Sequence, residues 1–291
     1  MNRKFFLQSA TLGIGTLAFQ QSLLAQIFQQ DAWKIKMLTD DIGVFTERGG
    51  TILFYISKEG MVVVDTQFPE QSKHLIDELK KRSEQPFKLL INTHHHGDHS
   101  GGNISFKGLV ENVLAHENSK ANQERVAKQS KTEDKQLFPN QTFGKTWSQK
   151  IGNEKITLHY FGAAHTDGDA LIHFEHADIV HMGDLINNRR YPFIDRTAGA
   201  SIKNWVEVLE KTTKHFNKKT TFVYGHASEG FEVYGKANDI KAMQEYFEKL
   251  LVFGEAEIKA GKTKEEFLKN KSIPGVTEWI GGGIERSLTA V

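Results

Sequence analysis

Apolar residues in the first half of the chain occur in short runs that are separated by glycine-containing turns. Two of these turns, Gly49–Gly50 and Glu59–Gly60, divide three segments rich in aliphatic and aromatic residues. Such spacing predicts β-strands that are joined as antiparallel hairpins. The three predicted strands are Gly43–Thr46, Thr51–Ile56 and Met61–Asp65.

The spacing of apolar residues then changes from short runs to a helical period. Pro69–Arg82 carries apolar residues on one face and Lys and Glu on the other, which predicts an amphipathic helix. Two further apolar runs, Phe87–Asn92 and Val113–His116, predict strands. Ser119–Asn140 is polar with few apolar anchors, and we expect a partly helical insertion there that could serve as a lid over a site.

The second half of the chain also alternates between segments that predict strands and segments that predict helices. Its predicted strands are Lys155–Phe161, Ala170–Phe174, Ile179–Met182 and Thr221–Tyr224, and its predicted helices are Ile202–Phe216, Ala237–Ala260 and Thr263–Asn270. Two β-rich, helix-flanked halves predict an α/β (α+β) fold in which two sheets pack face to face with helices outside. Because no segment resembles a linker, residues 26–291 are expected to form a single domain.

Composition excludes several functional classes. A hydrophobic share of 38% and a charged share of 25% are ordinary for a globular protein, and a net charge of +1 gives no reason to expect nucleic acid as a partner. The chain has no cysteine, which excludes disulfides, thiolate metal ligands and a cysteine nucleophile. Composition thus argues against a nucleic-acid partner and against chemistry that needs sulfur.

Residues 1–25 have the pattern of an export signal. Arg3 and Lys4 form a basic start, Ala10–Phe19 is a short apolar run, and Ser22–Ala25 offers a cleavage site. The apolar run is too short to span a bilayer comfortably, so we expect no membrane anchor after removal of the signal. The basic start is also similar to a twin-arginine signal, and export to the periplasm by the Tat or Sec route is expected.

Candidate chemistry is concentrated in Thr93–His99, which follows the predicted strand Phe87–Asn92. These seven residues contain four histidines and one aspartate. Imidazole and carboxylate ligands suit Zn, Fe or Mn, and a site of this kind with an open position suits metal-assisted hydrolysis. The sequence therefore predicts a metal site at the end of a strand, where α/β folds place chemistry.

The order of residues in this run separates the candidate ligands. Side chains alternate along an extended segment, so His94, His96 and Asp98 lean to one side and His95 leans away. His95 is expected at the rim of the site rather than among the ligands. His99 can turn toward a second point. A mononuclear site needs only three protein ligands and a water, so further ligands from elsewhere would imply two metals.

Three more candidate ligands each follow a predicted strand and lie close to a glycine. They are His165, Asp184 and His226. A glycine allows a tight bend and a close backbone approach, which suits a ligand at a strand end. The other strand-associated histidines are expected to be structural, and they are His116, His159, His173, His176 and His181.

With these residues, the chain resembles the metallo-β-lactamase-fold superfamily from about Gly43 to His226. Asp65 matches the first motif of the superfamily, and the His94–His99 run matches the second. His165, Asp184 and His226 match the remaining three. The resemblance implies a four-layer αββα sandwich of two mixed β-sheets with a dinuclear site at one edge of the sheets.

The resemblance also implies a role for each ligand. His94, His96 and His165 would bind the first metal, Asp98, His99 and His226 would bind the second, and Asp184 would bridge the two. Two Zn²⁺ per chain are expected, with Fe or Mn as alternatives. A hydroxide held between the metals would attack the substrate, and Asp98 is the candidate catalytic residue that steers it or takes a proton. Asp65 is expected to hydrogen-bond to a ligand histidine or to the loop backbone, or else only to form a turn.

An aspartate at position 184 also bears on the reaction. It is similar to the pattern of the glyoxalase II, lactonase, arylsulfatase and phosphodiesterase branches, whereas true β-lactamases of the superfamily generally lack it. The resemblance therefore implies a small-molecule substrate as the partner, and we expect an ester, lactone, thioester or related compound. Two alternatives stay open: a metallo-β-lactamase that hydrolyses β-lactam antibiotics, and a mononuclear iron dioxygenase of the persulfide type.

The loop Asn187–Phe193, directly after the bridging position, is expected to select the substrate. Its aromatic residues could form the walls of a substrate pocket, and an arginine could bind a carboxylate or phosphate through two hydrogen bonds. The candidate substrate-binding residues are Arg189, Arg190 and Tyr191. Alternatively, the arginines pair with Asp195 and Glu207 and only hold the loop in place.

Overall fold

A computed structural model describes residues 33–279 and 282–291. The predicted export signal lies outside the described residues. Residues from Ile35 to Val291 form one compact unit. Within the described part of the chain, no helix is long and apolar enough to cross a membrane.

The first sheet has seven strands in the order in which they occur along the chain. β1 to β4 form a meander in which the β2–β3 and β3–β4 pairs are antiparallel, which confirms the predicted hairpins. The remaining pairs, from β4 to β7, are parallel. The strands are β1 (Lys34–Met37), β2 (Ile42–Thr46), β3 (Ile52–Ser57), β4 (Gly60–Val64), β5 (Phe87–Ile91), β6 (Val110–His116) and β7 (Gln141–Phe143).

The second sheet has six strands in the order β15-β13-β11-β10-β9-β8. A separate parallel pair, β12 with β14, joins the two loops that carry the last candidate ligands. The strands are β8 (Thr146–Ile151), β9 (Glu154–His159), β10 (Leu171–Phe174), β11 (Ile179–His181), β12 (Asn187–Asn188), β13 (Thr221–Val223), β14 (His226–Ala227) and β15 (Tyr234–Gly235).

Three of the four predicted helices lie within one residue of their predicted bounds, and the helix predicted at Thr263–Asn270 is shorter in the structure. The first has the predicted bounds, since a proline begins it and basic residues occupy its last turn. The helices are α1 (Pro69–Arg82), α2 (Gly97–Ser100), α3 (Glu117–Ser130), α4 (Ile202–His215), α5 (Ala237–Lys259), α6 (Lys264–Phe267) and α7 (Ile284–Ala290).

Two apolar cores hold these layers together. In one core, side chains of the first sheet such as Leu53 and Val62 pack against Ile156 and Ile172 of the second sheet, so the two sheets lie face to face. The other core lies between the second sheet and helices α4, α5 and α7, with Trp205 fully buried in it. The predicted α/β arrangement of two mixed sheets with flanking helices is thus confirmed.

Candidate metal centre and active site

The seven predicted ligands lie just after strand ends, in loops, in short helical segments or, for His226, at the start of a two-residue strand. The run that begins at His94 follows β5 and turns into α2. His165 lies in the loop after β9, and Asp184 lies in a 3₁₀ turn after β11. His226 is the first residue of β14, close after β13. Although 132 positions separate the first and last of them in sequence, the fold brings these side chains together.

Two groups of three side chains are the core of the site. The ligand atoms of His94, His96 and His165 all lie within 4.8 Å of one another, with His96 Nδ1 and His165 Nε2 2.9 Å apart. Asp98, His99 and His226 form the second group by the same measure.

Asp184 lies between these two groups. Its Oδ1 is 3.0 Å from Nε2 of His99 and 3.4 Å from Nε2 of His226, both in the second group. Its Oδ2 is 3.6 Å from Nε2 of His165, in the first group. Among the residues that the structure describes, this buried Oδ1 has no hydrogen-bond partner. A carboxylate with one oxygen toward each group has the geometry that a bridging ligand needs.

The ligand histidines are oriented by hydrogen bonds on the ring nitrogen that faces away from the group. Nδ1 of His165 lies 2.8 Å from the carbonyl oxygen of Phe193, and Nε2 of His96 lies 3.0 Å from Oδ2 of Asp195. An acceptor at that position holds the proton there, so the opposite nitrogen keeps its lone pair for a metal.

Asp65 orients a histidine of the second group in the same way. This fully buried carboxylate accepts hydrogen bonds from His99 Nδ1 at 2.7 Å, from Thr93 N at 2.8 Å and from Thr93 Oγ1 at 2.7 Å. Its φ of 65° ends β4 one residue earlier than the predicted strand. It therefore both turns the chain and contacts a candidate ligand.

His94 gives the most direct test of whether a metal fits. Its Nδ1 lies 3.0 Å from Oγ1 of Thr93, whose hydroxyl proton is already donated to Asp65, so His94 is the donor in this contact. The opposite nitrogen, Nε2, is buried and has no hydrogen-bond partner in the described part of the chain. A buried polar atom without a partner is costly, and a metal ion would satisfy it. The donor set of imidazole and carboxylate, with no sulfur, also fits Zn²⁺.

The surroundings of most of these groups favour the protonation state that can bind a metal. Burial lowers the pKa of His165 to about 3 and that of His94 well below its usual value, which keeps both rings neutral. Burial would raise the pKa of Asp184, but His226 and His99 hold it well below the ordinary range, so the carboxylate is ionised. Neutral imidazole and ionised carboxylate are the states that bind metals.

A cleft of 320 Å³ opens over the candidate ligands. Four of the candidate ligands line it, namely His96, Asp98, Asp184 and His226. The other lining residues are Gly97, Asn187, Arg190, Tyr191, Phe193 and Arg286. None of its lining residues comes from the segment 119–140, so the predicted lid is wrong. That segment is mostly helix α3, and it is tied down by hydrogen bonds such as the one from Asn122 Nδ2 to Asp167 Oδ1 at 2.7 Å.

The two arginines of the predicted substrate loop lie in different places. Arg190 lines the cleft, and its Nη1 is 3.2 Å from Nδ1 of His226. Arg189 does not line it, because its guanidinium donates to Glu278 at 2.8 Å and to Asp239 at 3.2 Å. The expectation that Arg189 contacts substrate is thus not supported by its position. The alternative prediction, that these arginines pair with Asp195 and Glu207, is also wrong. Arg189 pairs with Asp239 and Glu278, and Asp195 contacts His96.

His95 and Asp195 complete the surroundings of the first group. His95 is buried rather than at the rim, with its Nε2 3.5 Å from Oδ2 of Asp195, which corrects the prediction for this residue. Sequence reasoning missed the contact of Asp195 with His96 and the place of Arg286 in the cleft. An aspartate two residues after Phe193 was visible in the sequence, but its partner lies 99 positions away.

Comparison with known proteins identifies the family of this chain. The profile of the metallo-beta-lactamase superfamily matches residues 45–226, and the chain belongs to this superfamily. The chain is an enzyme, a metal-dependent hydrolase of that superfamily.

Similar proteins include a metallo-beta-lactamase type 2 of Elizabethkingia meningoseptica, which is 24% identical over 66% of this chain and 78% of its own length. Metallo-beta-lactamase IND-1 of Chryseobacterium indologenes is 25% identical over 63% of this chain and 75% of its own length. Among solved structures, a metallo-beta-lactamase from Pontibacter korlensis aligns with a TM-score of 0.63 at 19% identity, covering 74% of this chain and 99% of that one. At this identity the structural likeness concerns the fold alone.

Proposed function

We propose that this chain is a dinuclear hydrolase with two divalent ions, of which zinc fits the donors best. The ligand sets would be His94, His96 and His165 for one ion and Asp98, His99 and His226 for the other, with Asp184 shared. The position of Asp184, with one oxygen toward each group, is the observation that carries this proposal.

Two such ions would supply a hydroxide nucleophile at neutral pH and polarise the carbonyl or phosphoryl oxygen of the substrate. The residues of the chain place the reactants. Asp98 lines the cleft with its side chain 33% exposed, and its Oδ2 is 3.1 Å from Nε2 of His226. A carboxylate at this point can orient the nucleophile or accept a proton, so we propose Asp98 as the catalytic residue. Tyr191 and Phe193 would form the apolar walls for the substrate.

An ester, lactone or thioester is the substrate class that we propose. A carboxylate at position 184 in a chain without cysteine supports these substrates over the amide of a β-lactam. Hydrolysis of β-lactams is the second candidate, because the similar proteins described above carry that name. The iron dioxygenase alternative needs only two histidines and one aspartate, and it leaves the second group of side chains without a role.

The test is a screen of metal-loaded and chelated protein against an ester, a lactone, a thioester and a β-lactam. We expect turnover of an ester-type substrate, loss of that turnover with a chelator, and recovery with Zn²⁺. Asp184→Ala should lose metal and rate together, whereas Asp77→Ala, which removes an exposed aspartate of α1, should change neither. Turnover of the β-lactam alone would reject the proposed substrate class, and full activity of chelated protein would reject the metal.

We also propose that the chain is exported as a single domain, from the predicted signal at residues 1–25. Fractionation of cells that produce the complete chain tests this proposal. Recovery of the protein in the cytoplasm at full length would contradict it.

A further inference from the structure

We propose that Arg286 and Arg190 form an oxyanion-binding end of the catalytic cleft, and that the substrate therefore carries a carboxylate or phosphate besides its scissile group. This proposal rests on the hydrolase function above and narrows its substrate class. Arg286 comes from the last helix of the chain, far in sequence from every candidate ligand.

Helix α7 presents Arg286 from a firmly docked position. Ile284 and Leu288 of this helix are buried in the core beside the second sheet. Ser287 is fully buried, and its hydroxyl lies 2.6 Å from that of Tyr246. Since these residues hold the helix in place, the exposed side chain of Arg286 reaches the cleft from a fixed base.

Arg286 has no internal partner that would explain its place. Within residues 33–279 and 282–291, its guanidinium makes no hydrogen bond and no ion pair. The neighbouring acid, Glu285, lies 3.6 Å from Nζ of Lys271 instead. Arg189, in contrast, is held by two carboxylates outside the cleft. Arg286 thus brings an uncompensated positive charge to the cleft.

Arg190 would become available when a metal binds. A guanidinium can only donate hydrogen bonds, so its contact with His226 requires a lone pair on Nδ1 of that ring. If Nε2 of His226 gives its lone pair to a metal, the ring proton lies on Nδ1 and this contact is lost. Arg190 then has no acceptor in the described part of the chain, and it faces the same cleft as Arg286.

The carboxylates of the cleft do not neutralise these arginines. Asp98 faces His226 at 3.1 Å, and Asp184 faces His99 at 3.0 Å. Two guanidinium groups therefore remain for a ligand, and guanidinium matches the paired oxygens of carboxylates and phosphates. A substrate with such a group would be oriented by the arginines while its scissile bond lies over the metal ligands.

The first experiment compares two substrates with the same leaving group on zinc-loaded protein. 4-Nitrophenyl acetate is neutral, and mono-4-nitrophenyl glutarate carries one carboxylate. We expect Arg286→Gln to lower kcat/KM for the glutarate ester at least about tenfold more than it lowers kcat/KM for the acetate ester. Arg82→Gln, which removes an exposed arginine of α1, is the control for the loss of one charge. Equal effects on both esters, or none, would overturn the proposal.

The second experiment reads binding without turnover. Calorimetric titration of zinc-loaded protein with glutarate and with phenyl phosphate should show affinity losses of about tenfold or more in Arg286→Gln for at least one of them. The anion with the larger loss identifies carboxylate or phosphate as the natural group. Unchanged affinity for both would reject the oxyanion site. Because this measurement needs no hydrolysis, it remains decisive if neither ester is turned over and the proposed function fails.

Discussion

Oδ2 of Asp65 accepts a hydrogen bond from Nδ1 of His99 at 2.7 Å, and neither side chain is exposed to solvent. The same carboxylate also accepts from the backbone and hydroxyl of Thr93, which in turn contacts His94. One buried acid thereby orients one candidate ligand from each group. A partner of this kind fixes the tautomer and the ring plane of a metal-binding histidine.

Replacement of Asp65 by Ala should therefore weaken both metal binding and the fold. It leaves Thr93 N–H and His99 Nδ1–H buried without acceptors, so we expect a loss of about 3 kcal/mol in the free energy of unfolding and of about 10–100-fold in metal affinity. Urea unfolding and competition with a chromophoric zinc chelator measure the two effects. Asp77→Ala serves as the control, and a metal affinity equal to wild type would show that Asp65 only forms a turn.

Gly225 packs so closely against Asp184 that any side chain should displace the carboxylate. A Cβ at position 225 would overlap Oδ1 of Asp184 and lie 2.9 Å from the carbonyl carbon of Gly183. We expect Gly225→Ala to reduce bound metal and rate together and to cost about 2 kcal/mol of stability. Gly144→Ala is the matched control, because its nearest neighbour would be 3.8 Å away. Normal metal content in Gly225→Ala would argue against Asp184 as a ligand in this position.

Replacement of Asp195 should weaken metal binding by the first group, His94, His96 and His165, and not by the second. Its Oδ2 holds Nε2 of His96, while its Oδ1 accepts from the backbone of Thr197 and Ala198 and so shapes the loop. Asp195→Ala is expected to weaken one of two zinc-binding steps by about 10–100-fold and to leave the other within a few-fold. A stepwise zinc titration resolves the two steps. Equal weakening of both steps, or of neither, would contradict this selective role.

A histidine outside the metal centre should make the fold sensitive to acid. Burial, with His215 and His173 nearby, lowers the pKa of His159 to about 4 from an ordinary value of 6.5. Between these values the unfolded chain binds more protons than the folded one, so stability is full above pH 6.5 and falls as the pH drops toward 4. Because the ring is partly exposed, the loss is about 1 kcal/mol.

Urea unfolding at pH 7 and pH 5 measures this dependence. In His159→Gln the difference between the two pH values should shrink by about 1 kcal/mol relative to wild type. His176→Gln removes an exposed histidine and should leave the difference unchanged. An unchanged difference in His159→Gln would place the acid sensitivity elsewhere.

The sequence predicted most of the regular structure because most elements bury continuous or periodic apolar residues. β4 is buried along its whole length, and α1 buries Leu75, Ile76 and Leu79 on one face. The prediction from sequence missed the elements that lack a continuous or periodic apolar pattern. β8 has mostly exposed side chains and is held by backbone pairing with β9, and the edge strand β1 is also exposed. Pairing between strands leaves no periodic pattern in the sequence.

The candidate ligands were predictable because each follows a strand, and strand ends meet at one edge of the sheets. Side-chain partners could not be predicted in the same way. Arg189 pairs with Asp239 and Glu278, which lie 50 and 89 positions away. The final fold alone brings Asp195 to His96 and Arg286 into the cleft. Contacts of this kind depend on how distant loops pack, and no local sequence pattern encodes them.

The central claim is that Asp184 joins two metal sites. Anomalous diffraction at the zinc edge from crystals of the zinc-loaded protein tests it most directly. We predict two peaks about 3.5–4 Å apart, one beside His94, His96 and His165 and one beside Asp98, His99 and His226, with an oxygen of Asp184 at each. A single peak, or two peaks without Asp184 between them, would contradict the account.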